Sequence, residues 1–219
     1  MFMKKQKKSV KEENRELTGH EKDRASAFQK MSEDLRKQGY RQYSLAVGID
    51  RANKLALMMA LPVCGLSLIL YMLNNQGGGI GFRSLSDTLL FGAGGIGLSL
   101  LHELIHGVTW SLFTPDGLKA MEFGITKDTL TPYCVCLKPL KKTGYIIGTL
   151  MSLILTGIVP ALAGILIGNF PLMLIGAVMI ISAAGDILIV FTLLKHKSEK
   201  SDQIICDLPG HAGCMLFER

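Results

Sequence analysis

Four long apolar stretches decide what this chain can fold into. They run over residues 55–73, 88–113, 144–168 and 171–194, with lengths of 19, 26, 25 and 24 residues. A helix rises about 1.5 Å per residue and a bilayer's hydrocarbon core is about 30 Å thick, so roughly 20 residues suffice to cross it. Only two acidic or basic side chains fall inside these stretches, Glu103 and Asp186. The other 40 of the 42 charged residues lie outside them. A soluble core does not keep four segments so clean. The pattern predicts an all-α integral membrane protein built as a four-transmembrane-helix bundle.

Charge sets the orientation. Residues 1–54, 114–143 and 195–219 hold 14, 5 and 4 Lys/Arg, and the two remaining loops hold one, Arg83. Positive charge is enriched on the cytoplasmic side of membrane proteins. Both termini are therefore expected in the cytoplasm of a cell-membrane, multi-pass protein. The formal net charge of +6 resides in residues 1–54, where 14 bases meet 8 acids. That mixture fits a solvated cytoplasmic helix better than a nucleic-acid patch, and no nucleic-acid partner is expected. From Glu21 to Tyr40, Phe28, Met31 and Leu35 fall at helical spacing on a charged surface. The expected organisation is a basic cytoplasmic segment over 1–54, a membrane domain over 55–194 and a cytoplasmic tail over 195–219. Four of the five cysteines fall in cytoplasmic segments, where reducing conditions disfavour disulfides.

The second stretch carries His102-Glu103-Leu104-Ile105-His106, an H-E-x-x-H pattern. Residues four apart share a helix face, so both imidazoles can reach one metal ion. Glu103, on the adjoining face, is placed to act as general base on a water that zinc activates. A charge at the centre of a membrane helix costs on the order of 2.5–3.5 kcal/mol, so such residues are usually functional and face the bundle interior. The remaining ionisable residue of the spans, Asp186, is the candidate third ligand. His106 lies 7 residues from Phe113 and Asp186 lies 8 from Leu194, which places both roughly 10–12 Å below the cytoplasmic ends of their spans. One shared Zn²⁺ requires that match. Gly92, Gly94, Gly95 and Gly97 are expected to pack the second span against the fourth near Gly185. Ser99, Thr109 and Ser182 are candidates for orienting the histidines.

The cytoplasmic segments read as strands. Leu118–Ile125 and Leu130–Leu137 flank Thr126-Lys127-Asp128-Thr129 and predict a small β-hairpin, whose edge can pair with an extended peptide. Cys134 and Cys136 read as apolar strand residues. Ile204–Phe217 reads as strand–turn–strand around Asp207-Leu208-Pro209-Gly210, with pairing to the earlier hairpin one option.

These residues resemble two groups. One is the intramembrane zinc metalloproteases of the site-two protease type, which carry H-E-x-x-H in one span and an aspartate in a later one. The other comprises short bacterial four-span proteins described as zincin peptidases. The second resemblance runs over roughly residues 25–219. It rests on His102-Glu103-Leu104-Ile105-His106-Gly107, the Pro132-Tyr133-Cys134 region, Gly185-Asp186-Ile187 and Asp207-x-Pro209-x-x-x-Gly213. It implies His102, His106 and Asp186 as zinc ligands and Glu103 as general base. One departure stands out: the Asn-Pro that precedes the aspartate in site-two proteases is absent here. The expected function is a zinc endopeptidase acting on a membrane protein or peptide near the cytoplasmic face. The rival reading is a non-catalytic metal-binding membrane protein, such as a pseudoprotease or a transporter subunit. Neither the substrate nor the oligomeric state is legible.

Overall fold

A computed structural model describes residues 19–46, 49–76, 79–126, 130–198, 200–208 and 213–219. The amphipathic pattern near the N-terminus forms α1 (Gly19–Lys37), followed by β1 (Arg41–Ala46). The first two apolar stretches form α2 (Ile49–Asn74) and α3 (Leu85–Ser111). A single 3-10 turn, Gly117–Ala120, leads into β2 (Met121–Ile125) and β3 (Pro132–Cys136). β4 (Leu140–Lys141) then runs straight into the third apolar stretch, composed of α4 (Lys142–Ser152), a π-helical segment (Leu153–Ile158) and α5 (Val159–Ile167). The fourth stretch is α6 (Phe170–Ser182) and α7 (Ala184–Lys195), and the chain closes with β5 (Gln203–Asp207) and β6 (Gly213–Glu218).

Local chemistry explains the boundaries. Ser84 caps α3 by accepting from the Asp87 amide, while the Asp87 carboxylate accepts from the Arg83 amide at 2.7 Å. Between α5 and α6 the chain reverses within two residues. Gly168 takes the left-handed conformation (φ 71°), and the Asn169 side chain caps α6 by accepting from the Leu172 amide at 2.9 Å.

Three helices are long and apolar enough to cross a membrane: Asp50–Asn74, Leu85–Ser111 and Lys142–Ile167. The fourth predicted span is not continuous. It is a pair of helices, Phe170–Ser182 and Ala184–Lys195, bent by 47°. The bend has a local cause. Ser182 donates its hydroxyl back to the Met179 carbonyl at 2.9 Å, and Gly185 follows three residues later. The π-helical segment has one too: Pro160 carries no N–H for the carbonyl of Thr156, four residues before it, so the regular ladder cannot continue.

The strands form two sheets. β2 and β3 make the expected hairpin, with Phe123 opposite Cys134; its tip, 127–129, lies outside the described residues. The C-terminal pair does not join that hairpin. β5 and β6 sit inside a four-stranded antiparallel sheet of order β1-β6-β5-β4, and their turn residues Pro209 and Gly210 lie outside the described residues. The sheet's two faces alternate as strand geometry requires. Leu45, Ile205, Cys214 and Leu216 pack toward the bundle with Trp110, Tyr145 and Leu193. Cys206, Met215 and Phe217 pack against Phe28, Met31 and Leu35 of α1. The helix predicted over Glu21–Tyr40 thus uses the face its spacing foretold. The basic residues of 1–18 lie outside the described residues.

The bundle's tight backbone contacts fall where the glycine-rich run of α3 does not. A Cβ on Gly164 would lie 2.2 Å from the Met173 amide nitrogen, and one on Gly176 would lie 2.2 Å from that of Ala161, so α5 and α6 meet backbone to backbone. In α3, Gly94 alone of the four touches another helix, at Ile175 of α6, while Gly92, Gly95, Gly97 and also Gly185 face open space. Packing there does not explain the run.

Candidate metal centre

Two elements bring the candidate ligands together. One turn of α3 supplies His102 and His106, both buried. The bend in the fourth stretch places Asp186 in the first turn of α7. The donor atoms form a small triangle: His102 Nε2 to Asp186 Oδ2 is 3.0 Å, His102 Nε2 to His106 Nε2 is 3.2 Å, and His106 Nε2 to Asp186 Oδ2 is 3.4 Å. Among the described residues this is the one group of three or more His, Cys, Asp or Glu side chains so arranged.

The third stretch supplies the next layer. Thr156 Oγ1 lies 3.0 Å from His102 Nδ1, and Ser152 Oγ lies 3.0 Å from His106 Nε2 and 3.3 Å from its Nδ1. The Thr156 hydroxyl has one proton and directs it to the Ser152 carbonyl at 2.8 Å. Toward His102 it can therefore only accept, so Nδ1 carries the imidazole proton and Nε2 presents a lone pair to the triangle. Ser152 likewise directs its proton to the Thr149 carbonyl at 3.0 Å.

This arrangement fits a divalent cation. With the His102 proton on Nδ1, its Nε2 lone pair and a carboxylate oxygen of Asp186 face each other at 3.0 Å, acceptor against acceptor. Such acceptors repel unless something positive sits among them. Tetrahedral zinc with bonds of about 2.0–2.1 Å sets its ligand atoms about 3.3 Å apart, close to the edges seen. Two imidazoles and one carboxylate are also a usual donor set for zinc with an open fourth position.

Glu103 is tied to the hairpin. The Cys134 amide donates to Glu103 Oε2 at 2.8 Å. Behind His106, Trp110 stacks on the imidazole (centroids 4.8 Å, planes 24° apart), and Tyr145 stacks on Trp110 (5.1 Å, 19°). Trp110 Nε1 donates to the Tyr145 carbonyl at 3.1 Å. Gly148 makes room for the indole, since a Cβ there would lie 2.1 Å from Trp110 Cδ1.

The structure brings His102, His106 and Asp186 together, but the residues that bond the histidines are not the expected ones. Ser99, Thr109 and Ser182 bond neither histidine. Ser152 and Thr156 do, and a signal for them existed: they are two polar residues four apart in an apolar span, where such residues turn inward. Cys134 and Cys136 are buried strand residues, as expected, and stand apart from the triangle. Burial pushes the Cys136 thiol up to about 12 and raises Cys134, Cys206 and Cys214 as well, which keeps all four as neutral thiols. A cavity of about 300 Å³ lies between α1 and the hairpin, lined by Arg24, Phe28, Met31, Val135, Leu137 and Asp207 among others. Its lining includes none of the four candidate site residues, so it is not the reaction centre.

Residues 95–200 match the profile of the DUF3267 family, described as "Putative zincin peptidase". The matched segment contains the whole triangle and Glu103. It points to a metallopeptidase. No curated protein and no solved structure matches the chain significantly.

Proposed function

We propose that this protein is an intramembrane zinc endopeptidase that hydrolyses a peptide bond of a membrane protein or peptide near the cytoplasmic face. The observation that carries the reading is the donor triangle, with edges of 3.0–3.4 Å, beside a carboxylate from the same helix turn. The zincin match of residues 95–200 supports the reaction class.

His102, His106 and Asp186 would hold the ion. When bound, zinc supplies Lewis-acid chemistry, lowering the pKa of a water toward 7 and polarising a peptide carbonyl. The chain's own residues do the rest. Thr156 keeps the His102 proton on Nδ1, so Nε2 stays available. The Cys134 amide holds one oxygen of Glu103 and fixes the carboxylate beside the triangle. Glu103 takes a proton from the attacking water and delivers it to the leaving nitrogen, the work of a general base that becomes a general acid.

The surface of the bundle supports a bilayer setting. On α2, Leu57 and Leu61 are 77% and 84% exposed, and on α3 Leu89 and Ile96 are 59% and 68% exposed. Soluble monomers rarely expose apolar patches of this extent, whereas lipid requires them. With the N-terminus inside, the basic segments and both sheets fall on the cytoplasmic side, and the site lies toward that end of the bundle, beside the β2–β3 hairpin.

The test compares wild type with Glu103→Gln in a membrane-embedded reporter assay. The variant is expected to keep its zinc and lose about 10²–10⁴-fold in cleavage rate. Cleavage at the wild-type rate would remove Glu103 from the mechanism.

A further inference from the structure

The strand that holds Glu103 is itself held, from outside the segment that matches the zincin family. Cys134 and Cys136 are alternate residues of β3, so their amides leave the same edge of the strand. That edge faces away from β2, because the amide that bonds back at the hairpin's base is that of Leu137, donating to the Ala120 carbonyl at 2.8 Å. Both outward amides end on carboxylates. Cys134 donates to Glu103 Oε2 and Cys136 donates to Asp207 Oδ2, each at 2.8 Å.

Asp207 has a second partner. Its Oδ1 accepts the Tyr145 hydroxyl at 2.8 Å. The Tyr145 ring backs Trp110, and Trp110 backs His106. One carboxylate at the end of β5 therefore joins two paths to the site. One runs along β3 to Glu103, and the other runs through two stacked rings to His106. The register pairs Asp207 with Cys214, on the sheet face that packs toward the bundle, so the sheet aims this side chain inward.

We propose that Asp207 is a positioning residue of the peptidase site, fixing through Cys136 the strand that orients Glu103 and through Tyr145 the aromatic stack that backs His106. The C-terminal sheet is then part of the working machinery and not a mere appendage. This rests on the metallopeptidase reading above. The chemistry suits the role. A carboxylate offers two acceptor oxygens for two donors, whereas an asparagine of the same shape offers one and must reverse the bond to Tyr145.

The experiment uses the full chain in detergent, with Asp207→Asn, Tyr145→Phe and the double variant. Trp110 is the sole tryptophan, so its emission reports the stack without interference. Each single variant is expected to retain wild-type zinc content, to shift Trp110 emission in the metal-free protein, and to lower kcat by about 10–100-fold with little change in KM, the range for removing an outer partner of a metal site. The double variant should be no worse than Asp207→Asn alone, because Tyr145→Phe breaks a path that Asp207→Asn already breaks. Wild-type kcat and emission in both single variants would overturn the proposal, as would losses that simply multiply in the double. If wild type itself holds no zinc and cuts nothing, the metallopeptidase reading fails. The emission of the metal-free variants still judges whether Asp207 sets the stack.

Discussion

Two helical regions meet at the site, and they advertise themselves very differently. α3 carries a motif: His102, Glu103 and His106 announce metal chemistry in any sequence. The segment from Ser152 to Thr156 carries none, yet it offers its own pair four residues apart to the same two imidazoles. α3 is also loosely packed around Gly92, Gly95 and Gly97, while the third stretch is tight, with Gly148 against Trp110 and Gly164 against Met173. The contrast teaches a division of labour. The chemically distinctive groups sit on a helix whose apolar surface is largely exposed, and ordinary polar and small residues on a better-packed neighbour fix their geometry.

The sharpest way to break this comparison is to remove a ligand. His102→Ala or His106→Ala should lose zinc binding by more than the roughly 10–100-fold attached to an outer partner, with activity lost alongside, as read by metal titration. The next effect belongs to the neighbour. Thr156→Val keeps the shape and removes the acceptor for His102 Nδ1, so zinc affinity should fall by about 10–100-fold. An unchanged affinity would mean that α3 needs no orienting partner. The smallest effect concerns packing. Gly148→Ala should destabilise the protein by about 1–3 kcal/mol in a thermal melt, because the new methyl meets the indole. Gly95→Ala or Gly97→Ala, facing open space in α3, should be nearly neutral. Equal costs at both places would erase the packing contrast.

Much of this was legible in the sequence, for identifiable reasons. Apolar length gave the helices, because a run of twenty-odd apolar residues with so little charge leaves few alternatives. Matching depth gave the Asp186–histidine contact, because two charged groups in apolar spans must find each other. Two apolar runs around a turn gave β5 and β6 as strands, though not their partners, since register with β1 and β4 depends on where α1 and α4 deliver the chain. The bend at Ser182–Ala184 was not read, because no proline marks it. Pro160 did mark the π-helical segment, but its consequence for Thr156 lies in the hydrogen-bond ladder and not in any residue pattern. Asp207 looked like a turn residue. Only the fold shows that its two oxygens reach Cys136 and Tyr145.

The central claim is that His102, His106 and Asp186 form one zinc site. Elemental analysis of the purified, folded protein tests it most directly. The account predicts about one zinc per chain in wild type, lost in a His102→Ala/His106→Ala double variant that still folds. A folded wild-type protein carrying no zinc, and taking up none when it is supplied, would contradict it.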